Sequence, residues 1–475
     1  MFTRLSLRLR IFLFFSLLAL GGLALAGGAL YLGWSRAEPP VPPSPFVTAF
    51  LLFAFLNTGL AAAIWLLFDE NVAKPIDKLA VDLRLCTQAG VGRALDTEAA
   101  RYLGDLAPAA RAVSATLSSG VMDSAAHVAR ETERLQAEAA RLTALLTEIP
   151  VATILVNGSD EIVLYDGQAA AILSQVGPPR LKAPLTDYFD GADLEAAKAG
   201  LGASEAEVAF TLAEAGRARS FEARLKRLEA DGYMLILEVE DAPSARIAAR
   251  PLVYDFDLLN AGASGDIYDR PLRDICFVVF DTETTGLSTT EDQVVQIGAV
   301  RVLNGRLVPG ERFESFVDPG RPIPPASTRI HQVSDADVAG APDFVAAGRA
   351  FHAFARDAVL VAHNAPFDLA FFHRFEAEMG VGWDHPVLDT VLLSAIAFGI
   401  TEDHSLDALC DRLAVAIAPE VRHSALGDAV ATAEALVRLL GLLEARSLTT
   451  LGAVIAEARK HGRLLEDLNA PVQQR

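Results

Sequence analysis

The sequence is poor in cysteine and in positive charge, and both shortages exclude classes of protein. Its 475 residues include three cysteines, Cys86, Cys276 and Cys410, and no C-x-x-C pair. This excludes a disulfide framework and a cysteine-ligated zinc site, and it suits a reducing compartment. The 41 lysines and arginines are outnumbered by 61 aspartates and glutamates, which gives a formal net charge of −20. Such a balance argues against broad binding to the nucleic-acid backbone, which usually requires a basic face.

Two runs near the N-terminus lack charge altogether. Residues 11–33 and 46–68 are each apolar over about twenty positions, which is enough to span a bilayer as a helix. The stretch between them is too rich in proline to be helical. A cleaved signal peptide is the alternative for the first run, since the ALA at 24–26 resembles a cleavage site. The second run would still anchor the chain.

The charges beside these runs predict their orientation. Three arginines precede the first run, whereas the loop between the runs carries one arginine and one glutamate. The positive-inside rule then places the N-terminus, and everything after the second run, in the cytoplasm. We therefore predict that residues 1–70 form a two-helix anchor in the lipid bilayer of the inner (cytoplasmic) membrane.

Helical patterns follow the second run. Residues 71–124 resemble the entry of a HAMP linker, in which a proline (here Pro75) precedes a helix, and an ordinary juxtamembrane helix is the alternative. Residues 125–149 place apolar residues at every seventh position from Val128 to Ile149. This spacing predicts a coiled-coil helix and, through it, a homodimer. A single amphipathic helix packed on its own domain is the alternative.

Short strand patterns replace the helical ones after Pro150. Residues 151–166 and 220–241 are each typical of a hairpin. With a helix between them, this order resembles a PAS sensor domain, an α+β fold, over residues 150–241. A purely structural role in dimerisation is the alternative. Residues 242–273 are predicted to be a linker with one docked segment, YDFDLL.

Two gaps in the composition limit what such a domain senses. The chain has no histidine between His127 and His331, so haem bound through histidine is not expected. It has no cysteine between Cys86 and Cys276, so a flavin–thiol adduct is excluded. The sequence does not identify a ligand for this region.

Residues 274–445 are predicted to form an α/β domain. Three strand patterns come first, with a turn at Asn304-Gly305 between the second and the third. Helical and strand patterns then alternate up to a long amphipathic helix over 425–445. This succession predicts a mixed sheet flanked by helices.

Acidic residues stand at three points of this domain. Asp281 and Glu283 end the first strand, Asp368 lies one turn into a helix, and Asp428 begins the last helix, five residues after His423. If these elements pack together, four carboxylates converge, and divalent cations such as Mg²⁺ or Mn²⁺ offset the cost of burying them. Two such ions activate a water and stabilise a leaving oxygen, while a histidine takes the proton.

Each acidic segment has a simpler explanation when taken alone. Asp-x-Glu after a strand is more often a solvated strand end. The HNAPFD segment is compatible with a helix N-terminus capped by Asn364 or Asp368. The HSALGD segment is compatible with a loop and an ordinary helix. Their order, each at the structural position that a metal site requires, favours the metal site.

The three segments FDTETTG, HNAPFD and H-x-A-x-x-D resemble the motifs of the DEDDh 3′–5′ exonucleases, and in particular the proofreading epsilon subunit of bacterial DNA polymerase III. The stretch IPPASTRIHQVSDADVAGAP at 323–342 also resembles that family. The similarity covers about residues 274–445 and implies a ribonuclease H-like fold.

The resemblance also implies roles for individual residues. Asp281, Glu283, Asp368 and Asp428 would ligate two Mg²⁺ or Mn²⁺ ions, with Asp281 bridging both. His423 would be the general base. The resemblance also implies five substrate-binding residues at the 3′ end of the nucleic acid: Thr284, Thr285, Leu287, Asn364 and Phe367.

The chain departs from this family in its membrane runs and in having no polymerase segment. The tail at 446–475 shows no clear polymerase-binding signature. The motifs serve DNA and RNA exonucleases alike, so DNA and RNA 3′ ends both remain open as substrates. A DNA polymerase is a candidate partner. The alternative from another class is a membrane sensor or scaffold that uses a nuclease-like domain for binding.

Overall fold

The computed structural model describes residues 7–37, 41–80, 103, 104, 106, 109, 151–201, 207–228, 232–238, 252–260, 265–416 and 422–469. The chain divides into two compact units, Met1–Ala125 and Ala126–Arg475. The predicted coiled coil at 125–149 lies outside the described residues, as does most of the HAMP-like region at 71–124.

The first unit contains an antiparallel helical pair. Helix α1 spans Leu7–Ser35 and α2 spans Ser44–Phe68, and each includes one of the predicted apolar runs. Pro43 precedes α2, and the helix continues through a π-helical turn at Asp69–Ala73. Both helices are long and apolar enough to cross a membrane.

Two polar contacts hold this pair together. The guanidinium of Arg8 donates two hydrogen bonds of 2.7 Å to the carboxylate of Asp69, which joins the start of α1 to the end of α2. Between the helices, the amide of Asn57 donates to the carbonyl oxygen of Ala19 at 3.0 Å. Such a bond satisfies a polar group that an apolar helix surface would otherwise leave unpaired.

The second unit begins with an antiparallel sheet, which we call the middle domain. Its strands lie in the order β3-β4-β5-β1-β2-β6. Both predicted hairpins are present, as the β1–β2 and β4–β5 pairs. The assignment as a PAS-like domain remains a prediction. The elements are β1 (Val151–Val156), β2 (Ile162–Tyr165), α3 (Gly167–Leu173), α4 (Gly191–Gly200), β3 (Glu207–Ala213), β4 (Ser220–Arg227), β5 (Tyr233–Glu238) and β6 (Val253–Tyr254).

Part of the predicted linker belongs to this domain. Strand β6 pairs with β2 at the sheet edge, with Tyr165 opposite Val253. Leu258 is buried, and its carbonyl oxygen accepts a hydrogen bond from the Asn157 side chain at 2.9 Å. The YDFDLL segment is thus docked.

The exonuclease-like part is a mixed five-stranded sheet in the order β11-β10-β7-β8-β9. Strands β7, β8 and β9 form the predicted antiparallel meander, and β10 and β11 run parallel to β7. Asn304 and Gly305 both have positive φ, as a tight hairpin turn requires. The strands are β7 (Phe277–Thr284), β8 (Val294–Leu303), β9 (Arg306–Phe316), β10 (Val359–Ala362) and β11 (Val387–Asp389).

Helices flank this sheet, as predicted for an α/β fold. The helices are α5 (Pro325–His331), α6 (Asp335–Val338), α7 (Phe344–Ala355), α8 (Ala365–Arg374), α9 (Glu376–Met379), α10 (Thr390–Phe398), α11 (Leu406–Leu413), α12 (Ala425–Glu444) and α13 (Leu451–Ala458). Helix α13 follows the predicted domain boundary at residue 445, which remains a prediction. Helix α13 has buried apolar residues, and the Asn469 side chain bonds to the backbone of Val387 on the edge strand β11.

The middle domain and the C-terminal α/β domain share one hydrophobic core. At their junction, Glu311 of β9 and Arg301 of β8 form a buried ion pair of 3.0 Å. The Glu311 carboxylate also accepts from the Tyr165 hydroxyl at 3.0 Å and from the Leu181 amide at 2.5 Å. Two middle-domain groups therefore satisfy a charge of the C-terminal α/β domain.

Candidate active site

Strand β7 carries the first two predicted site residues at its carboxyl end. Val278, Val279 and Phe280 are fully buried, and the strand then continues as Asp281 and Glu283, which are half-buried. Residues two apart on a strand project to the same face. The two carboxylates therefore leave the core on one side of the sheet.

Helix α12 brings Asp428 to the same place because it packs very closely on β8. Gly298 of β8 lies opposite Asp281 of β7. A Cβ atom at Gly298 would lie 2.1 Å from the Leu426 nitrogen, so only glycine permits this approach. Ligand oxygens of Asp281, Glu283 and Asp428 consequently lie within 4.8 Å of one another.

Asp368 is held against β7 from helix α8. Its Oδ1 accepts from the Thr282 amide at 3.1 Å and from the Thr282 hydroxyl at 2.5 Å. The start of α8 is fixed by Asp389, whose Oδ2 accepts from the Ala365 amide at 2.6 Å. Asn364 stands at the N-cap position with φ of 72° and makes no side-chain cap bond. The capping group is therefore Asp389 and neither Asn364 nor Asp368.

Burial and mutual repulsion dominate the electrostatics of the four carboxylates. Burial, followed by the charge of Asp368, raises the pKa of Asp281 well above its usual range. Burial, followed by the charge of Asp428, raises the pKa of Glu283 to about 8. Burial also raises the pKa of Asp368 to about 7, although the bonds from Thr282 oppose it. Such a group takes up either protons or cations.

Among the described residues, the guanidinium of Arg422 reaches this group. Nη1 of Arg422 donates to Asp428 Oδ1 at 2.7 Å, and Nη2 of the same guanidinium donates to Asp407. Arg422 is half-buried beside the start of α12. It balances one of the four carboxylates.

His423 lies on the turn that leads into α12. Its side chain is exposed and its φ is 60°. Within the described residues no hydrogen bond joins its imidazole to the four carboxylates. His363 is a half-buried histidine near the site, with Nδ1 2.9 Å from the Thr390 hydroxyl. Burial lowers the pKa of His363 to about 4, so it is neutral at physiological pH.

The predicted substrate-binding residues after β7 form a bonded turn. The Thr284 hydroxyl donates to the Gly286 carbonyl oxygen at 2.7 Å, and the Thr285 hydroxyl lies 2.9 Å from Asp292 Oδ1. Leu287 follows and is 89% exposed. The turn therefore presents an apolar side chain to the solvent.

The other two predicted substrate-binding residues lie at the start of α8. Asn364 has its backbone in the left-handed region. Phe367 packs partly against the core, with its ring 5.4 Å from that of Phe371. Both residues stand on the same helical turn as Asp368.

Sequence analysis missed the residues that position the carboxylates. Gly298, Asp389 and Arg422 act through partners distant in the chain. A glycine within an otherwise apolar strand is a signal of close backbone approach. An acidic residue directly before a helix, as Asp389 is before α10, is a signal of a cap. Arg422 carried no signal apart from its position beside His423.

Comparison with known proteins finds a matching family and similar relatives. The sequence model of the exonuclease family (RNase_T) matches residues 278–436. A DNA polymerase III subunit epsilon-like protein of Rhodobacter capsulatus is 33% identical, over 98% of this chain and 99% of the relative. The PolC-type DNA polymerase III of Halalkalibacterium halodurans is 38% identical, over 36% of this chain and 12% of the relative. A solved structure of exonuclease X with 5′ overhanging duplex DNA is 26% identical, with a TM-score of 0.30, over 38% of this chain and 99% of that one.

The fold and the site together define an exonuclease. The chain belongs to the family of DNA polymerase III subunit epsilon-like proteins, since the Rhodobacter relative is similar over its whole length. The PolC-type relative is similar only over the exonuclease part, and this chain spans about an eighth of its length.

Proposed function

We propose that this protein is a membrane-anchored, divalent-metal-dependent 3′–5′ exonuclease that releases nucleoside 5′-monophosphates from DNA. The observation that carries the proposal is the group of Asp281, Glu283 and Asp428 oxygens within 4.8 Å, with Asp368 held beside them through Thr282. A binding domain without chemistry has no need for four poorly balanced carboxylates.

The donor set fits hard divalent cations. Carboxylate oxygens are the ligands that Mg²⁺ and Mn²⁺ prefer. Burial, followed by neighbouring negative charge, raises the pKa values of Asp281, Glu283 and Asp368, and a bound cation would offset both effects. Asp281, Glu283, Asp368 and Asp428 would hold two ions, with Asp281 shared. When bound, the ions activate a water and stabilise the leaving oxygen of a phosphodiester.

Other residues of the chain would supply the remaining functions. His423, on the exposed turn before α12, takes the proton of the attacking water. Arg422 competes with a bound cation for Asp428 and keeps that carboxylate in place until the cation arrives. Thr284, Thr285 and the exposed Leu287 contact the 3′-terminal nucleotide. Asn364 and Phe367 line the same cleft.

DNA is the substrate that the family supports best, because the relative that matches the whole chain is named after a subunit of DNA polymerase III. Association with a DNA polymerase is proposed on the same ground. RNA remains the alternative, since the acidic group recognises a phosphodiester, which DNA and RNA share.

The anchor is supported by α1 and α2, which are apolar over membrane-spanning lengths. We propose that both lie in the inner membrane with the exonuclease in the cytoplasm. The Arg8–Asp69 ion pair would then lie at the cytoplasmic end of the helix pair. Dimerisation through residues 125–149 is part of the same proposal.

The test uses the full chain in an uncharged detergent, with Mn²⁺ and single-stranded DNA or matched RNA labelled at either end. We expect 3′-labelled DNA to release labelled mononucleotide first, and 5′-labelled DNA to give a ladder of shortened strands. Asp281→Asn and His423→Ala should both abolish release, whereas Asp269→Asn, at an exposed position, should not.

Two results would contradict the proposal in different ways. Release of mononucleotide from the 5′ label would reverse the direction of digestion. No digestion of either nucleic acid by folded, metal-loaded protein would favour the membrane sensor or scaffold. Faster digestion of RNA than of DNA would keep the chemistry and change the substrate.

A further inference from the structure

A second polar cavity lies away from the carboxylates, where the middle domain meets the exonuclease domain. Its volume is about 330 Å³. Two carboxylates line it, from Glu161 and Asp357, together with five cationic side chains, from Arg180, Lys182, Arg270, Arg301 and Arg356. In a chain with a net charge of −20, a cavity with this excess of positive charge is unusual.

Internal ion pairs balance only part of this charge. Arg180 and Arg356 share one carboxylate, that of Asp187, at 2.5 and 3.2 Å. Arg301 is paired with Glu311. The ammonium group of Lys182 donates to the neutral carbonyl oxygen of Asp274 at 2.7 Å, and no ion pair of Lys182 is found within the described residues.

Both domains contribute to the cavity wall. Arg180 and Lys182 belong to the middle domain, and Arg270, Arg301 and Arg356 belong to the exonuclease side. Arg180 and Arg301 are nearly inaccessible to solvent, at 3% and 2% exposure. These two cations are therefore held in place by the fold, whereas Lys182 and Arg270 are half-buried and Arg356 is exposed.

We propose that this cavity binds a small phosphate monoester. Phosphate oxygens accept charge-assisted hydrogen bonds from several guanidinium and ammonium groups at once. The apolar side chains of Ile267 and Ile275, with Pro184, offer contact for an organic body. A cavity of about 330 Å³ lies at the lower end of the range for small-molecule sites, so a sugar phosphate or a nucleoside monophosphate fits better than a larger ligand.

The proposed site is separate from the nuclease chemistry. Cys276, which directly precedes β7, lines the cavity. Asp281 of β7 follows it by five residues, which corresponds to roughly 16 Å at the rise of a strand. Binding here needs no divalent cation and does not rest on the proposed exonuclease function. A ligand would contact both domains and so stabilise their junction.

The test is isothermal titration of the full chain, in an uncharged detergent and with EDTA, so that the carboxylate site holds no cation. The probes are AMP, ribose 5-phosphate, inorganic phosphate and adenosine. We expect AMP and ribose 5-phosphate to bind, inorganic phosphate to compete with them, and adenosine not to bind. The double variant Lys182→Gln/Arg270→Gln should weaken AMP binding by about tenfold or more, because it removes two charge-assisted contacts.

Arg306→Gln is the matched control, because Arg306 is an exposed arginine of the exonuclease domain that does not line the cavity. It should bind AMP as the wild type does. Three results would overturn the proposal: no binding of either monoester by folded protein, equal binding of adenosine and AMP, or unchanged AMP binding in the double variant. Circular dichroism of each variant confirms that it is folded.

Discussion

The five-stranded sheet of the exonuclease domain withdraws charged side chains from solvent at two places. The two places differ in whether the fold supplies a counter-charge. Where the two domains meet, Arg301 and Glu311 form an ion pair, and two further hydrogen bonds reach Oε1 of the Glu311 carboxylate. At the carboxyl end of β7, four carboxylates face one another, with Arg422 paired to one of them.

This difference distinguishes charges that stabilise the fold from charges that serve the proposed function. Buried charges that the fold itself pairs contribute to a specific architecture. Buried charges of one sign that the fold leaves unbalanced raise its energy unless an external cation joins them. The same type of substitution, from a carboxylate to its amide, should therefore have opposite effects at the two places.

The largest effect is expected for Asp281→Asn. The variant removes the carboxylate that both proposed metal ions would share, so exonuclease activity should fall by on the order of 10³-fold or more. In EDTA its free energy of unfolding should not fall, because one of four mutually repelling groups is gone. Mononucleotide release and thermal unfolding measure the two effects. A destabilised variant would show that the carboxylate group is structural.

Glu311→Gln should show the reverse pattern. It leaves the buried guanidinium of Arg301 without its counter-charge, so the free energy of unfolding should fall by about 3–5 kcal/mol. Activity per folded molecule should change little at temperatures where the variant is folded. Glu291→Gln, at an exposed position, is the control. Unchanged stability in urea denaturation of Glu311→Gln would remove the contrast between the two places.

Gly298→Ala tests how the carboxylate group is assembled. The added Cβ would lie 2.1 Å from the Leu426 nitrogen and 2.2 Å from the Ala425 carbonyl carbon, so α12 must move away from β8. We expect about 1–3 kcal/mol of destabilisation and a loss of activity of about 10²-fold, because Asp428 moves with the helix. Gly216→Ala, where a Cβ meets nothing within 4 Å, should change neither the stability nor the activity. Full activity in Gly298→Ala would show that Asp428 need not be fixed by this contact.

The sequence predicted the parts of this arrangement that are local. Asp281 and Glu283 follow a buried strand, and the apolar run 294–303 coincides with β8. Asp368 and Asp428 were located through helix periodicity and motif resemblance. Each of these signals occupies a few consecutive residues, so a pattern reveals it.

Contacts between distant residues left no such pattern. The approach of Gly298 to Leu426 joins a strand to the last long helix, and the bond from Ala365 to Asp389 joins two α/β units. The ion pair of Arg301 and Glu311 at the junction of the two domains was not predicted for the same reason. In the sequence, a buried arginine and a buried glutamate look like residues of any surface ion pair. The bonds of Asn469 to the backbone of Val387 likewise join residues distant in the chain.

The smallest effect we predict is a dependence of the free energy of unfolding on pH. Bound metal ions should abolish this dependence. Burial raises the pKa of Glu283 from 4.5 to about 8, and that of Asp368 from 3.8 to about 7. Between the ordinary and the raised values the folded state binds more protons than the unfolded state. The free energy of unfolding therefore falls as the pH rises through this window, and the stability gained from protonation is lost by about pH 8.

In EDTA, the unfolding temperature should consequently fall by about 5 °C between about pH 6 and pH 8.5. Added Mn²⁺ should raise it more at the higher pH, because protons no longer compete for the carboxylates. Glu283→Gln should flatten the EDTA profile, whereas Glu291→Gln should not. If Mn²⁺ gave the same increase at both pH values, it would be binding elsewhere. A larger increase of the unfolding temperature at the higher pH would show that Mn²⁺ binds to the carboxylates whose charge the fold leaves unbalanced.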